Sequence, residues 1–146
     1  MTIAVLVVDD ERALRDVLVD VLARDARVEC VGTAADGAEA VEVARATRPN
    51  VALVDVKMPS GGARAVRALI ECSPGMRVIA FSAYGDSGIV RDLFDAGATG
   101  YVLKGTPAGQ IVDAIVRCAD GHAVVSPEIL ASADDLDARW TDGSRA

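Results

Sequence analysis

At 146 residues with a formal net charge of −7, the chain is the length of one domain and can bury roughly two-thirds of its unfolded surface. It is 51% hydrophobic but only 3% aromatic, so the core rests on Ala, Val, Leu and Ile, which favours stacked helix and sheet layers over an aromatic-rich sandwich. The acidic balance argues against direct nucleic-acid binding, which relies on Lys and Arg neutralising phosphates, and no run approaches the ~20 apolar residues that cross a bilayer. The N-terminus enters a strand-like run without a basic, apolar, small-residue leader, so the chain reads as soluble and cytoplasmic, without a membrane partner. Cys30, Cys72 and Cys118 are odd in number and widely spaced, and read as reduced, buried thiols. His122 reads as a surface residue, and cysteines and histidine so dispersed make no zinc site.

In chain order, TIAVLVV (2–8) is a continuous apolar run, as expected of a strand covered on both faces. In ERALRDVLVDVLARD (11–25), Leu14, Val17, Leu18, Val21 and Leu22 share a helical stripe, with Arg12, Arg15, Asp16 and Asp20 largely opposite. VECVGTA (28–34) is a second strand, and GAEAVEVARATR (37–48) a helix with Ala40, Val41 and Ala44 inward, stopped by Pro49. VALVDV (51–56) is a third strand ending on acid, and GARAVRALIEC (62–72) a helix carrying Val66, Leu69 and Ile70. RVIAFSA (77–83) is a fourth strand, followed by the helix SGIVRDLFDAG (87–97), whose Gly97 suits a left-handed cap. GYVL (100–103) is a fifth strand. TPAGQIVDAIVRCADG (106–121) is a helix with Thr106 as N-cap and Pro107 at its first position.

Strict alternation of five strands and five helices predicts an α/β fold: a doubly wound (βα)5 sandwich with helices on both faces of a five-stranded parallel sheet. The common order is 2-1-3-4-5, with the first and third strands astride the switch point. The domain is expected over residues 1–121. Residues 122–146 read as a C-terminal extension or linker, with one short helix after Ser126 and Pro127 and an acidic tail.

Ligands of open α/β sheets bind at the carboxyl ends of the strands, at the switch point. There the first strand delivers Asp9, Asp10 and Glu11, and the third delivers Asp55. Each like-charged pair at ~4 Å costs about 4 kcal/mol at an effective dielectric near 20. A hard divalent cation with oxygen ligands and retained waters, Mg²⁺ above all, would offset that. Ser82 ends the fourth strand and Lys104 follows the fifth. The set suits a group that becomes strongly anionic when modified: Asp55 as nucleophile, metal and Lys104 as charge clamps, and Ser82 as hydrogen-bond donor.

At this point the chain resembles the CheY-like receiver domains of two-component response regulators, over residues 2 to about 120. The resemblance is carried by VVDD, DVKMP, FSA and GYVLK at four strand ends. It is carried too by spacings of 27 residues from Asp55 to Ser82 and 22 from Ser82 to Lys104. AGATGYVLKGTPAGQIVDAI most resembles receivers that precede a LuxR-type helix-turn-helix.

The resemblance implies that Asp55 is the phospho-acceptor, and that Asp10, Asp55 and the Lys57 carbonyl bind Mg²⁺, with Asp9 acting through a water. It makes Ser82 the switch hydroxyl, Tyr101 the switch aromatic and Lys104 the phosphate-pairing lysine. Met58 and Pro59 shape the loop after the acceptor; Lys57 and Tyr84 stand where water access is governed. The implied partners are a sensor histidine kinase and a second copy docking through the fourth helix, fifth strand and fifth helix. A DNA-binding output domain would be a separate unit, and the chain itself is no turnover enzyme. Gly105 stands where the family usually has a cis proline, which leaves the aim of Lys104 open. The loop MPSGGARA reads as one residue shorter than usual.

Blander explanations exist for single residues. The acids at 9–11 suit a helix start, and Glu11 is read only so. Lys104 alone would be a solvated lysine, and Tyr101 an ordinary half-buried strand residue. Val112, Val116 and Val19 are either the margin of a wide buried stripe or a docking surface. Trp140, in the tail, packs loosely or meets a partner. A flavodoxin-type cofactor binder would need a Ser/Thr/Gly-rich loop where DDERA stands, and an aspartate-nucleophile phosphatase would need D-x-D-x-T there. An unphosphorylated interaction module on the same fold is the remaining alternative.

Overall fold

The computed structural model describes residues 2–58, 61–83 and 87–126. The elements alternate as expected: β1 (Ile3–Val8), α1 (Arg12–Ala23), β2 (Val28–Ala34), α2 (Gly37–Thr47), β3 (Val51–Asp55), α3 (Gly62–Cys72), β4 (Arg77–Ser82), α4 (Ser87–Ala96), β5 (Gly100–Leu103) and α5 (Ala108–Ala119). A sixth strand, β6 (Val124–Val125), follows. The sheet is parallel in order β2-β1-β3-β4-β5-β6. The doubly wound expectation therefore holds, with one strand more than the alternation indicated.

Period-two alternation divides the apolar strand residues between two cores. Leu6, Val8, Ala52 and Val54 face α2, α3 and α4, where Ala40, Ala44, Val66, Leu69, Val90 and Leu93 close over them. Val5, Val7, Leu53 and Ile79 face α1 and α5. Each central strand is covered on both sides, which explains why β1 and β3 read as unbroken apolar runs. Small side chains let α2 and α3 come close to the sheet. At Gly62 an added Cβ would lie 2.8 Å from the Val56 backbone, so the start of α3 is pressed against the chain leaving β3.

Several details depart from the expectations. The helix α5 starts at Ala108, because Pro107 takes an extended ψ of 144° and occupies the N-cap position; Thr106 instead donates its N–H to the Leu103 carbonyl at 3.2 Å. Val17 is 56% exposed, not inward: it lies one 100° step from Leu18, and only Leu18 and Leu22 of α1 are fully buried. Val112 is buried in the core while Val116 and Val19 are half-buried, so the margin of a buried stripe accounts for Val112. His122, Cys30 and Cys72 are half-buried, whereas Cys118 is buried beside Thr99. The Gly97 cap forms as expected, at φ 114°, with the Ala98 N–H reaching the Leu93 carbonyl.

The strand β6 escaped the alternation because it is only two residues long, below the length at which an apolar run stands out. After α5, Gly121 at φ 100° turns the chain back along the sheet. Val124 then donates to Thr99 and Ser126 to Tyr101, both at 3.0 Å. The regular structure therefore runs past residue 121. Tyr84, Pro59, the helix expected beyond Pro127 and Trp140 lie outside the described residues.

Candidate functional site

The strand β1 hands the chain to α1 through a tight turn at Asp9. The Asp9 N–H donates to the Ala34 carbonyl at 3.0 Å, continuing the ladder one residue past Val8. Its Oδ1 accepts the Glu11 N–H at 2.9 Å, which satisfies a donor at the start of α1 that Glu11's own side chain leaves uncapped. Asp9 is consequently only 1% exposed, while Asp10 turns outward to solvent. On the neighbouring strand, Asp55 is buried at the end of β3. The carboxyl groups of Asp9, Asp10 and Asp55 each offer an oxygen, all within 4.8 Å of one another.

Lys104 meets this cluster from the end of β5. Its Nζ lies 2.9 Å from Asp55 Oδ1 and 3.6 Å from Asp9 Oδ2. Its N–H donates to the Ser82 carbonyl at 2.7 Å, which anchors the exit of β5 to the end of β4. The Lys104–Gly105 peptide bond is trans, and Gly105 takes φ 99°, a conformation that glycine adopts without steric penalty. Lys104 thus reaches the acids without the usual proline. Ser82 is buried at the rim, and Tyr101 is fully buried in the core under α4 instead of half-buried. The Lys57 N–H donates to Asp55 Oδ1 at 3.2 Å, while its side chain is exposed.

Lys104 pairs with Asp9 and Asp55, and the crowding of carboxylates registers at Asp9. Burial pushes the Asp9 carboxyl above its ordinary range, and the charges of Asp55 and Asp10 push it further; the Glu11 N–H and Lys104 pull it down only in part. For Lys104, burial opposes the charge, but the hydrogen bond and attraction to Asp55, with help from Asp9, outweigh it and raise its pKa. Asp9 Oδ2 is buried with no hydrogen-bond partner, Lys104 being too distant to donate to it. An orphaned carboxylate oxygen beside two others, one open to solvent, is a donor set that fits a hard cation retaining waters.

The sequence-predicted residues Asp9, Asp10, Asp55, Lys57, Ser82 and Lys104 are thus brought to one rim, and Tyr101 lies beneath it. Two further residues were not foreseen. Arg15, assigned to the polar side of α1, donates from Nη1 to the Asp9 carbonyl at 2.6 Å. A basic residue in the first turn after an acid cluster was its only trace in the sequence. Ser126, beyond the regular pattern, is buried, and its Oγ accepts the Leu103 N–H at 3.1 Å.

Residues 5–116 match the family described as the response regulator receiver domain. Response regulator GacA of Pseudomonas viridiflava is 38% identical over 128 residues, covering 87% of this chain and 60% of that protein. The probable transcriptional regulatory protein NarL of Mycobacterium tuberculosis is 36% identical over 129 residues, covering 88% of this chain and 60% of that protein. Among solved structures, a LuxR-family two-component response regulator from Aurantimonas sp. SI85-9A1 has a TM-score of 0.84 at 30% identity, over 90% of this chain and 94% of that one. The signal receiver domain of the putative response regulator NarL from Mycobacterium tuberculosis has a TM-score of 0.78 at 36% identity, over 83% and 98%. The chain spans about 60% of the length of these curated relatives. With the acids on adjacent strand ends, the lysine across from them and the match running from β1 into α5, the chain belongs to the response regulator receiver domain family.

Proposed function

We propose that this receiver accepts a phosphoryl group on Asp55 from a phosphohistidine of a sensor histidine kinase. The observation that carries the reading is the three-carboxylate cluster with Lys104 Nζ 2.9 Å from Asp55. Lys104 and the Lys57 N–H both engage Asp55 Oδ1, which leaves Oδ2 as the nucleophile. That oxygen bonds to phosphorus as the bond from phosphorus to the imidazole nitrogen breaks. Mg²⁺ held by Asp10, Asp55 and the Lys57 carbonyl, with Asp9 through a water, would supply positive charge against the phosphoryl oxygens. Lys104 then pairs with the added phosphoryl group, and Ser82 donates its hydroxyl to it.

The new charge and acceptor oxygens bias the domain between two states. Ser82 and Lys104 are drawn toward the phosphoryl group. Tyr101 already lies inside the core, so its part is to hold that inward position under the displaced Ser82. The surface of α4, β5 and α5 changes its preference for partners, including a second copy of the chain. A copy docking along β5 meets β6 at its outer edge. The domain is a phosphorylated switch and not a turnover enzyme. In a longer protein it would control an output domain that binds DNA, as the names of its relatives suggest. Incubation with acetyl phosphate and Mg²⁺, followed by intact mass, tests the reading. Wild type gains one phosphoryl group and Asp55→Asn gains none; equal masses would leave the phosphorylation-independent interaction module as the reading. Removing the two large side chains at the water-access positions, Lys57→Ala with Tyr84→Ala, shortens the phosphoaspartate lifetime, measured by loss of label over time.

A further inference from the structure

The backbone that aims Lys104 has little stiffness of its own. Gly105 follows it at φ 99° with nothing within 4 Å of where a Cβ would lie, so neither a ring nor a packed side chain restrains the turn. The Thr106 N–H closes the turn on the Leu103 carbonyl at 3.2 Å, and two further hydrogen bonds fix its base, one from each side of β5. On the inner side, the Lys104 N–H donates to the Ser82 carbonyl at 2.7 Å. On the outer side, the Leu103 N–H donates to Ser126 Oγ at 3.1 Å. Ser126 also donates its own N–H to the Tyr101 carbonyl at 3.0 Å, so it grips β5 at two of the last three residues before the lysine. Its hydroxyl supplies an acceptor just where the short backbone ladder of β6 runs out. Ser126 is buried at the margin of a cleft of about 350 Å³ that Leu103, Lys104, Thr106 and Gln110 also line. It stands ten residues past the end of the family match, at residue 116.

We propose that Ser126 is a positioning residue for Lys104, taking over from the C-terminal strand the restraint that Gly105 cannot provide. The inference rests on the reading of Asp55 as phosphoryl acceptor. It adds that the lysine's aim, and with it the speed of phosphoryl uptake, depends on a residue outside the (βα)5 unit. Coupling is reciprocal: a pull on the chain beyond Ser126 moves Lys104, and movement of Lys104 onto a phosphoryl group is felt at Ser126.

The test compares Ser126→Ala and Ser126→Thr, each with Lys104 intact and in a Lys104→Ala background, on the full chain. Uptake from acetyl phosphate with Mg²⁺ is timed by intact mass, and the reactivity of the Lys104 amine toward an acylating reagent is read by peptide mass. Ser126→Ala slows uptake about tenfold, the scale of a small misplacement of a reacting group, and makes the Lys104 amine more reactive. Ser126→Thr, which keeps the hydroxyl, restores both. In the Lys104→Ala background, Ser126→Ala has no further effect on uptake. An equal loss in both backgrounds, or unchanged amine reactivity in Ser126→Ala, overturns the positioning role. The outcome is separate from the acceptor reading, which fails only if wild type gains no phosphoryl group or Asp55→Asn gains as much; the amine reactivity decides the role of Ser126 in either case.

Discussion

At the end of the sheet where the strands begin, Asn50 joins three of them with neutral hydrogen bonds. Its Oδ1 accepts the Ala4 N–H and its own N–H reaches the Ala4 carbonyl, both at 2.8 Å, while its carbonyl takes the Arg77 N–H at 2.9 Å. At the end where the strands finish, Asp9, Asp10 and Asp55 crowd within 4.8 Å, and Asp9 Oδ2 has no donor. At the first rim Asn50 uses its N–H, its carbonyl and its side-chain oxygen to hold the strands in register; the other leaves a carboxylate oxygen without a hydrogen bond and crowds three carboxylates together. Buried polar groups cost free energy when unmatched, so the second rim is maintained at the expense of stability, and a ligand that matches it recovers that loss. Substitutions at the two rims should therefore act in opposite directions.

The largest effect is expected from Lys104→Ala. Loss of one preorganised charge partner slows phosphoryl uptake by about 10²–10³-fold. The same change removes the ammonium paired with Asp9 and Asp55, so Mg²⁺ binds more tightly, as a calorimetric titration would show. If uptake and metal affinity fell together, the two roles of the rim would not be separable in this way.

Next comes Asp9→Asn. In the metal-free protein it relieves repulsion while keeping the oxygen that accepts the Glu11 N–H, so the unfolding midpoint rises by a few degrees. Wild type gains about 2.7 kcal/mol from Mg²⁺ at 100 times its dissociation constant, and the variant gains less. The pH dependence follows from the raised Asp9 pKa. The folded state holds this proton more tightly than the unfolded chain does. Its contribution to metal-free stability is therefore complete below 3.8 and is lost as pH rises through the elevated folded value. The advantage of Asp9→Asn vanishes in acid and grows toward neutrality. Mg²⁺ competes with the same proton, so metal-induced stabilisation fades on acidification at a higher pH than an ordinary carboxylate would give. Thermal melts across pH, with and without Mg²⁺, measure both.

At the opposite rim, Asn50→Ala should lower stability by about 1 kcal/mol in a denaturant titration and leave phosphoryl uptake unchanged. The smallest effect is reserved for the exposed Val17. Val17→Ser shifts stability by less than about 0.5 kcal/mol, whereas Leu18→Ala, one residue on but fully inside, costs about 2–5 kcal/mol. Comparable losses at the two positions would mean that α1 packs through a wider stripe than the burial indicates.

Much of this was legible in the sequence, for local reasons. The bounds of α3 and β5 agree with the sequence reading, because a covered strand must be apolar throughout and a surface helix must repeat its apolar positions; those of the half-exposed edge strand β2 agree as well. The acids after β1 and β3 stood out since nothing but function or a helix start explains carboxylates at the ends of buried strands. Other features left little local trace. Val17 satisfies the helical period yet faces water, because the width of the buried stripe depends on how α1 lies on the sheet. The start of α5 moved to Ala108 because Pro107 takes an extended ψ and serves as the N-cap instead of the first helical residue. Arg15 and Ser126 are ordinary polar residues by composition; only the fold brings one to the Asp9 carbonyl and the other to the Leu103 N–H.

Hydrophobic period, turn residues and the places where acid, hydroxyl and lysine interrupt apolar runs sufficed to determine the alternation of strands and helices, the parallel sheet and the rim at which its polar residues meet. Those signals are carried by neighbours along the chain, and each element needs only its own residues to display them. The sixth strand, the inward setting of Tyr101, the orphaned oxygen of Asp9 and the hydrogen bond from Leu103 to Ser126 were decided by tertiary structure. Each depends on the distance and orientation between groups that are far apart in sequence, and those are set only when the two cores close on the sheet.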